Sequence, residues 1–108
     1  MIAEIDPAAL AAWREDAGRA PPLLVDVREP WEFAFCRIEG SQSSPMGSLP
    51  QALPGLPRER DIVVVCHTGV RSYHAAAWLK RAGFDRVYNL RGGVAAWADA
   101  VDPGMKRY

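Results

Sequence analysis

Apolar residues along the chain recur with two alternating periods. In IDPAALAAWREDAG, Leu10, Trp13 and Ala17 share one helical stripe, between a start at Asp6 and Pro7 and a stop at Gly18. The run LLVDV after Pro21-Pro22 is continuous rather than periodic, as expected of a strand covered on both faces. REPWEFAF restarts a short helix at Pro30, and SQSSPMGSLPQALPGLP is rich in turn residues. Within that stretch Ser48 and Gln51 have capping-box spacing, which predicts a short helix rather than a linker. DIVVVC is the clearest strand. RSYHAAAWLKRAG predicts a helix closed by Gly83 with Ala75, Ala76, Leu79 and Ala82 on one stripe. RVYNL gives another strand, and RGGVAAWADAV a last helix with Val94 and Trp97 three apart. The tryptophans at 13, 31, 78 and 97 fall on these helices and are expected in core or half-buried packing.

Strands alternating with helices over short connections predict an α/β fold, a parallel sheet sandwiched by helices. A length of 108 residues fits one compact domain over 1–108, able to bury roughly two-thirds of its unfolded surface without disulfides or metal. With 49% apolar and 24% charged residues the chain reads as globular rather than disordered. Net charge is zero, which argues against nucleic acid or an anionic membrane as the main partner. The balance is uneven, however: residues 1–65 hold six basic and ten acidic side chains, and residues 66–91 hold five and one. An anion-handling site is therefore expected in the third quarter of the chain. The opening MIAEIDPAAL lacks the basic start and apolar stretch of a secretory signal, so a cytoplasmic location and free thiols at Cys36 and Cys66 are expected.

In parallel sheets ligands bind beyond the carboxyl ends of the strands. Cys66 sits there, at the end of DIVVVC and the mouth of the loop His67, Thr68, Gly69, Val70, Arg71. Backbone N–H groups of such a loop and of the following helix can point at the sulfur, and Arg71 adds positive charge; both favour a thiolate. Gly69 allows left-handed torsions that let the loop curl. A cysteine at a strand end is ordinarily a buried structural thiol, but this loop turns the reading toward a nucleophile. Cys36 has no such loop and reads as a bystander.

The ordered motifs LLVDVREPWEF (23–33), CRIEGS (36–41), VVVCHTGVRS (63–72) and YNLRGGVAAW (88–97) together resemble a single-domain rhodanese, nearly end to end. The resemblance implies a rhodanese-like fold and a sulfurtransferase using no cofactor and no metal. Cys66 would take a sulfane sulfur from thiosulfate or a persulfide donor and pass it to a thiol or cyanide acceptor by a ping-pong route. Arg71 would hold the loop and an anionic donor. Four residues separate Cys66 from Arg71, as in sulfurtransferases of this fold, whereas the related cysteine phosphatases have one more and a wider cradle. Cys36, Arg37 and Glu39 depart from the family's usual Gly, His and Pro.

Around this loop, His67 is expected at the rim, and Thr68 and Ser72 can offer hydroxyls. Asp26 and Arg28, followed by Glu29, lie beyond an adjacent strand and could support the loop or simply pair with each other. Arg91, before Gly92-Gly93, could add to the anion field or stand in solvent. His74, off the helix stripe, is expected to be exposed. No Cys-x-x-Cys or His-x-x-x-His spacing points to zinc. An alternative from another class is a sulfur-carrier or protein-binding module with a dedicated partner protein thiol and little free-standing turnover.

Overall fold

The computed structural model describes residues 1–108. Ile62–Val65 are all β-branched, a choice that suits a pleated surface buried on both faces. They form β4, the middle of five parallel strands, and all four are 0% exposed. Each such side chain contributes about 2 kcal/mol by leaving water. β4 is flanked by β2 (Leu23–Asp26) and β5 (Val87–Leu90); β1 (Ala3–Ile5) and β3 (Gln42–Ser43) close the edges in the order β1-β5-β4-β2-β3. The register pairs Asp26 with Val65 and Val64 with Asn89, so Val27, Cys66 and Arg91 leave the sheet at one end. That common edge is what gathers the candidate site.

Alternation along the strands creates two cores. On one face Val25, Ile62, Val64, Cys66 and Val87 pack against α4 (Val70–Arg81) and α3 (Leu49–Ala52). On the other, Leu24, Val63, Val65 and Leu90 pack against α1 (Pro7–Glu15) and α5 (Gly93–Ala100), through Leu10, Trp13, Val94 and Trp97. α2 (Pro30–Phe35) caps the edge near β2 and leads into Cys36 and Ile38 of the second core. The exposed edge strands are only three and two residues long, which limits edge-to-edge pairing. No helix is long and apolar enough to cross a membrane.

Several local expectations hold. Asp6 caps α1 by accepting from Ala9 N at 2.8 Å, and Gly83 closes α4 with a φ of +100°. Others do not. α1 stops at Glu15, because Asp16 turns extended and its carboxylate accepts from Gly18 N; Ala17 is therefore exposed and off the buried stripe. Ser48 precedes a short helix but makes no side-chain cap, since the 3₁₀ turn Met46–Ser48 already runs into it. Trp31 is 63% exposed rather than packed: Pro30 starts α2 so that the ring faces outward beside Tyr108. β1 had no signal in the sequence.

Candidate active site

Cys66 follows β4 directly, and its sulfur has two polar neighbours. Gly69 N–H donates to Sγ at 3.0 Å, and Ser72 Oγ lies 3.2 Å away on the first turn of α4. The turn from Cys66 to Gly69 is possible because Gly69 takes a φ of +97°, and because a Cβ there would come within 2.9 Å of Gly92 N. The loop then rests on the start of α5. Val94 N and Ala95 N donate to the carbonyls of Cys66 and His67 at 2.9 and 3.0 Å. Gly93 makes this approach possible, since its Cβ would lie 2.4 Å from both carbonyl oxygens. Strand β4, the loop, α4 and α5 thus fix the sulfur at the sheet's carboxyl edge, and both cysteines are free, buried thiols.

Arg71 pairs with a carboxylate and makes no hydrogen bond to the sulfur. Its guanidinium makes two parallel bonds to Glu32, Nη1 to Oε1 at 2.8 Å and Nη2 to Oε2 at 2.9 Å. The Arg71 bonds hold the Glu32 carboxyl at about 2 against an ordinary 4.5; burial opposes them, while the Tyr108 hydroxyl and a backbone N–H from Glu29 add to the lowering. The same pairing raises Arg71 further above its ordinary value. The positive charge expected to face the sulfur is therefore largely offset by a carboxylate.

Behind Glu32 lies a second pair. Arg28 and Asp26 are both 0% exposed, with Arg28 Nη2 on Asp26 Oδ2 at 2.8 Å and Nε shared between the two carboxylate oxygens. Arg28 also donates to the Cys36 carbonyl at 2.6 Å and to the Tyr108 hydroxyl at 2.9 Å. Tyr108 in turn donates to Glu32 at 2.6 Å, so one network runs Asp26, Arg28, Tyr108, Glu32, Arg71 from β2 to the loop. The Tyr108 ring stacks on His67 with centroids 4.0 Å apart and planes at 13°. Burial and the Glu32 carboxylate push the Tyr108 hydroxyl up to about 12, against a smaller opposing effect of Arg28.

His67 is half-buried at the rim, Thr68 and Val70 are exposed, and His74 is exposed on α4. Arg91 is largely in solvent, its Nε 3.6 Å from Glu4 Oε1, and makes no contact with the sulfur. Cys36 packs in the second core with Sγ 3.7 Å from Arg28 Nη1. Glu29 is exposed; the acidic partner of the loop is Glu32, one turn on. Sequence reasoning missed Glu32, Asn89 and Tyr108. A signal existed for Asn89 alone, a single polar residue within the apolar strand VYNL.

The sulfur held by a backbone N–H at the end of a central parallel strand, with the loop seated on a Gly-Gly helix start, matches one family. The family model for the rhodanese-like domain covers residues 6–100. The chain belongs to the rhodanese-like family. It is 42% identical over 98 residues to a sulfurtransferase of Allochromatium vinosum, covering 91% of this chain and 90% of that protein. It is 41% identical over 106 residues to the probable adenylyltransferase/sulfurtransferase MoeZ of Mycobacterium tuberculosis, with 96% of this chain spanning 26% of that protein. The crystal structure of a rhodanese-like domain protein from Staphylococcus aureus superposes with a TM-score of 0.85 at 28% identity, covering 99% of both chains. The relatives support a sulfurtransferase-type activity for this rhodanese-like domain.

Proposed function

We propose that Cys66 is the nucleophile of a persulfide-forming sulfurtransferase. The observation that carries the reading is the Cys66 sulfur itself, poised at the carboxyl edge of β4 with Gly69 N–H 3.0 Å from it. In the first half-reaction the Cys66 thiolate attacks the outer sulfur of thiosulfate. The S–S bond of the donor breaks, its electron pair leaves with sulfite, and Cys66 becomes a persulfide anion. In the second, an acceptor thiolate or cyanide attacks the outer persulfide sulfur, the new S–S or C–S bond forms, and the Cys66 thiolate returns. Atoms and electrons balance without metal or organic cofactor. Backbone N–H groups of the 66–71 loop stabilise the anions, and Arg71, paired to Glu32, holds the loop in place and contributes little net charge to the donor.

Incubation with thiosulfate, followed by intact-mass measurement, tests this reading: the protein gains one sulfur atom, and digestion places it on Cys66. An unchanged mass with thiosulfate, together with loading by a low-molecular-weight persulfide, favours the carrier reading, in which a partner's persulfide is the donor. The 0% exposure of Cys66 and the exposed ring of Trp31, set against the Tyr108 ring that stacks on His67, give that alternative its footing. A cytoplasmic setting, with its abundant thiols, suits either.

A further inference from the structure

Ser72 has one hydroxyl proton and two neighbours within reach of it. Oγ lies 2.5 Å from Asn89 Oδ1 and 3.2 Å from Cys66 Sγ. The orientation of the Asn89 amide is fixed, because its Nδ2 faces two groups that can only accept: Glu4 Oε2 at 2.8 Å and the Gly69 carbonyl at 3.1 Å. Oδ1 is therefore the atom beside Ser72, and an amide oxygen can only accept. In the resting site the Ser72 hydroxyl must donate to Asn89 Oδ1, which leaves a lone pair of Oγ facing the sulfur. Ser72 and Asn89 are 0% and 1% exposed, so water does not supply a substitute partner.

We propose that Asn89, pinned by Glu4, is a positioning residue that controls which way the Ser72 hydroxyl points and thereby tunes the reactivity of Cys66. While the sulfur is a neutral thiol, its S–H donates to Ser72 Oγ and the hydroxyl donates to Asn89. When the sulfur is anionic, the hydroxyl swings to donate to it and the bond to Asn89 is given up. As sulfur transfer makes Sγ a neutral, weakly accepting atom of an S–S bond, the hydroxyl turns back to donate to Asn89 Oδ1. The rotor works by rotation about one C–O bond and moves no backbone. The inference rests on the reading of Cys66 as nucleophile, and it deepens that reading by naming what competes with the sulfur for a proton.

The test is a four-protein cycle, wild type, N89L, S72A and N89L/S72A, read as the rate of Cys66 alkylation by iodoacetamide at neutral pH. S72A slows alkylation roughly tenfold, the size of one hydrogen bond to a charged atom. N89L speeds it roughly threefold to tenfold, because the hydroxyl is left with the sulfur as its only partner. The double variant reacts like S72A. Equal rates for N89L and wild type, or a slowing by N89L that persists without Ser72, overturn the proposal; the latter assigns Asn89 to the Gly69 carbonyl alone. If N89L does not fold, N89D carries the test with the opposite sign, since its carboxylate holds the Ser72 proton more strongly: alkylation slows, and slows less in the S72A background. Rates unaffected by N89D in either background also overturn it. Alkylation needs no sulfur donor, so a failure of sulfur loading with this cycle intact refutes only the transferase reading.

Discussion

Replacing Glu32 with Gln keeps the shape of the side chain and removes its charge. In the native protein the two bonds from Arg71 hold the Glu32 carboxyl at about 2 rather than 4.5. That displacement corresponds to about 3 kcal/mol of folding stability. The Glu32 side chain is 5% exposed but Arg71 is 39% exposed, so screening by solvent reduces the expected effect to about 2 kcal/mol. Because the carboxyl is easier to ionise when folded, the unfolded chain binds more protons between pH 4.5 and about 2. The contribution is thus present in full above pH 4.5 and disappears as pH falls toward 2. Urea unfolding of both proteins from neutral pH down to the acid limit measures this. Glu32→Gln is less stable at pH 7 by about 2 kcal/mol, and the gap between the curves closes in acid. A gap that does not change with pH would refute the assignment, since it would trace the loss to packing rather than charge.

Three other outcomes follow from the geometry. Gly93→Ala places a Cβ 2.4 Å from the carbonyls of Cys66 and His67 at a φ of +60°, so it displaces the loop, costs upwards of about 3 kcal/mol in thermal or urea unfolding, and abolishes sulfur loading. Cys66→Ser abolishes turnover while Cys36→Ser, altering a thiol that packs in the second core, largely spares it; equal losses in a steady-state assay would make Cys36 part of the chemistry. Tyr108, its hydroxyl pushed up to about 12 by burial and by Glu32, contributes no phenolate absorbance near pH 10 in a difference titration against Tyr108→Phe, and the fold loses stability as pH rises above 10, where the unfolded chain ionises first.

The strand DIVVVC and the helix behind it were legible because burial on both faces demands an uninterrupted β-branched run, and because Gly83 closes the helix with a left-handed turn. Gly69 was legible for a similar reason, since a positive φ leaves few other choices, whereas the close approach at Gly93 emerges only from the structure. The electrostatics were not. Glu32 and Arg71 lie 39 residues apart, and nothing local in PWEFAF says which of its faces turns inward. Chain proximity places Arg71 near the sulfur but cannot show that its guanidinium is also paired with Glu32 on α2. Asn89 was overlooked since a strand's polar residue is commonly an outward one, and β1, which supplies the Glu4 that orients it, is too short and too exposed to leave a pattern. The capping spacing of Ser48 and Gln51 was a local signal that the preceding 3₁₀ turn overrode.

Main-chain atoms seat the loop that surrounds Cys66 on α5 and reach its sulfur. Gly69 N–H contacts the sulfur, and Val94 N and Ala95 N grip the carbonyls of Cys66 and His67. The side chains of Thr68 and Val70 meanwhile point into solvent, and that of His67 lies at the rim. The backbone groups that seat the loop and the side chains it shows to solvent are therefore different atoms of the same short segment. Exchanging Thr68 or Val70 alters the surface around the sulfur without touching the bonds that seat the loop, whereas exchanging His67 removes the stack on Tyr108.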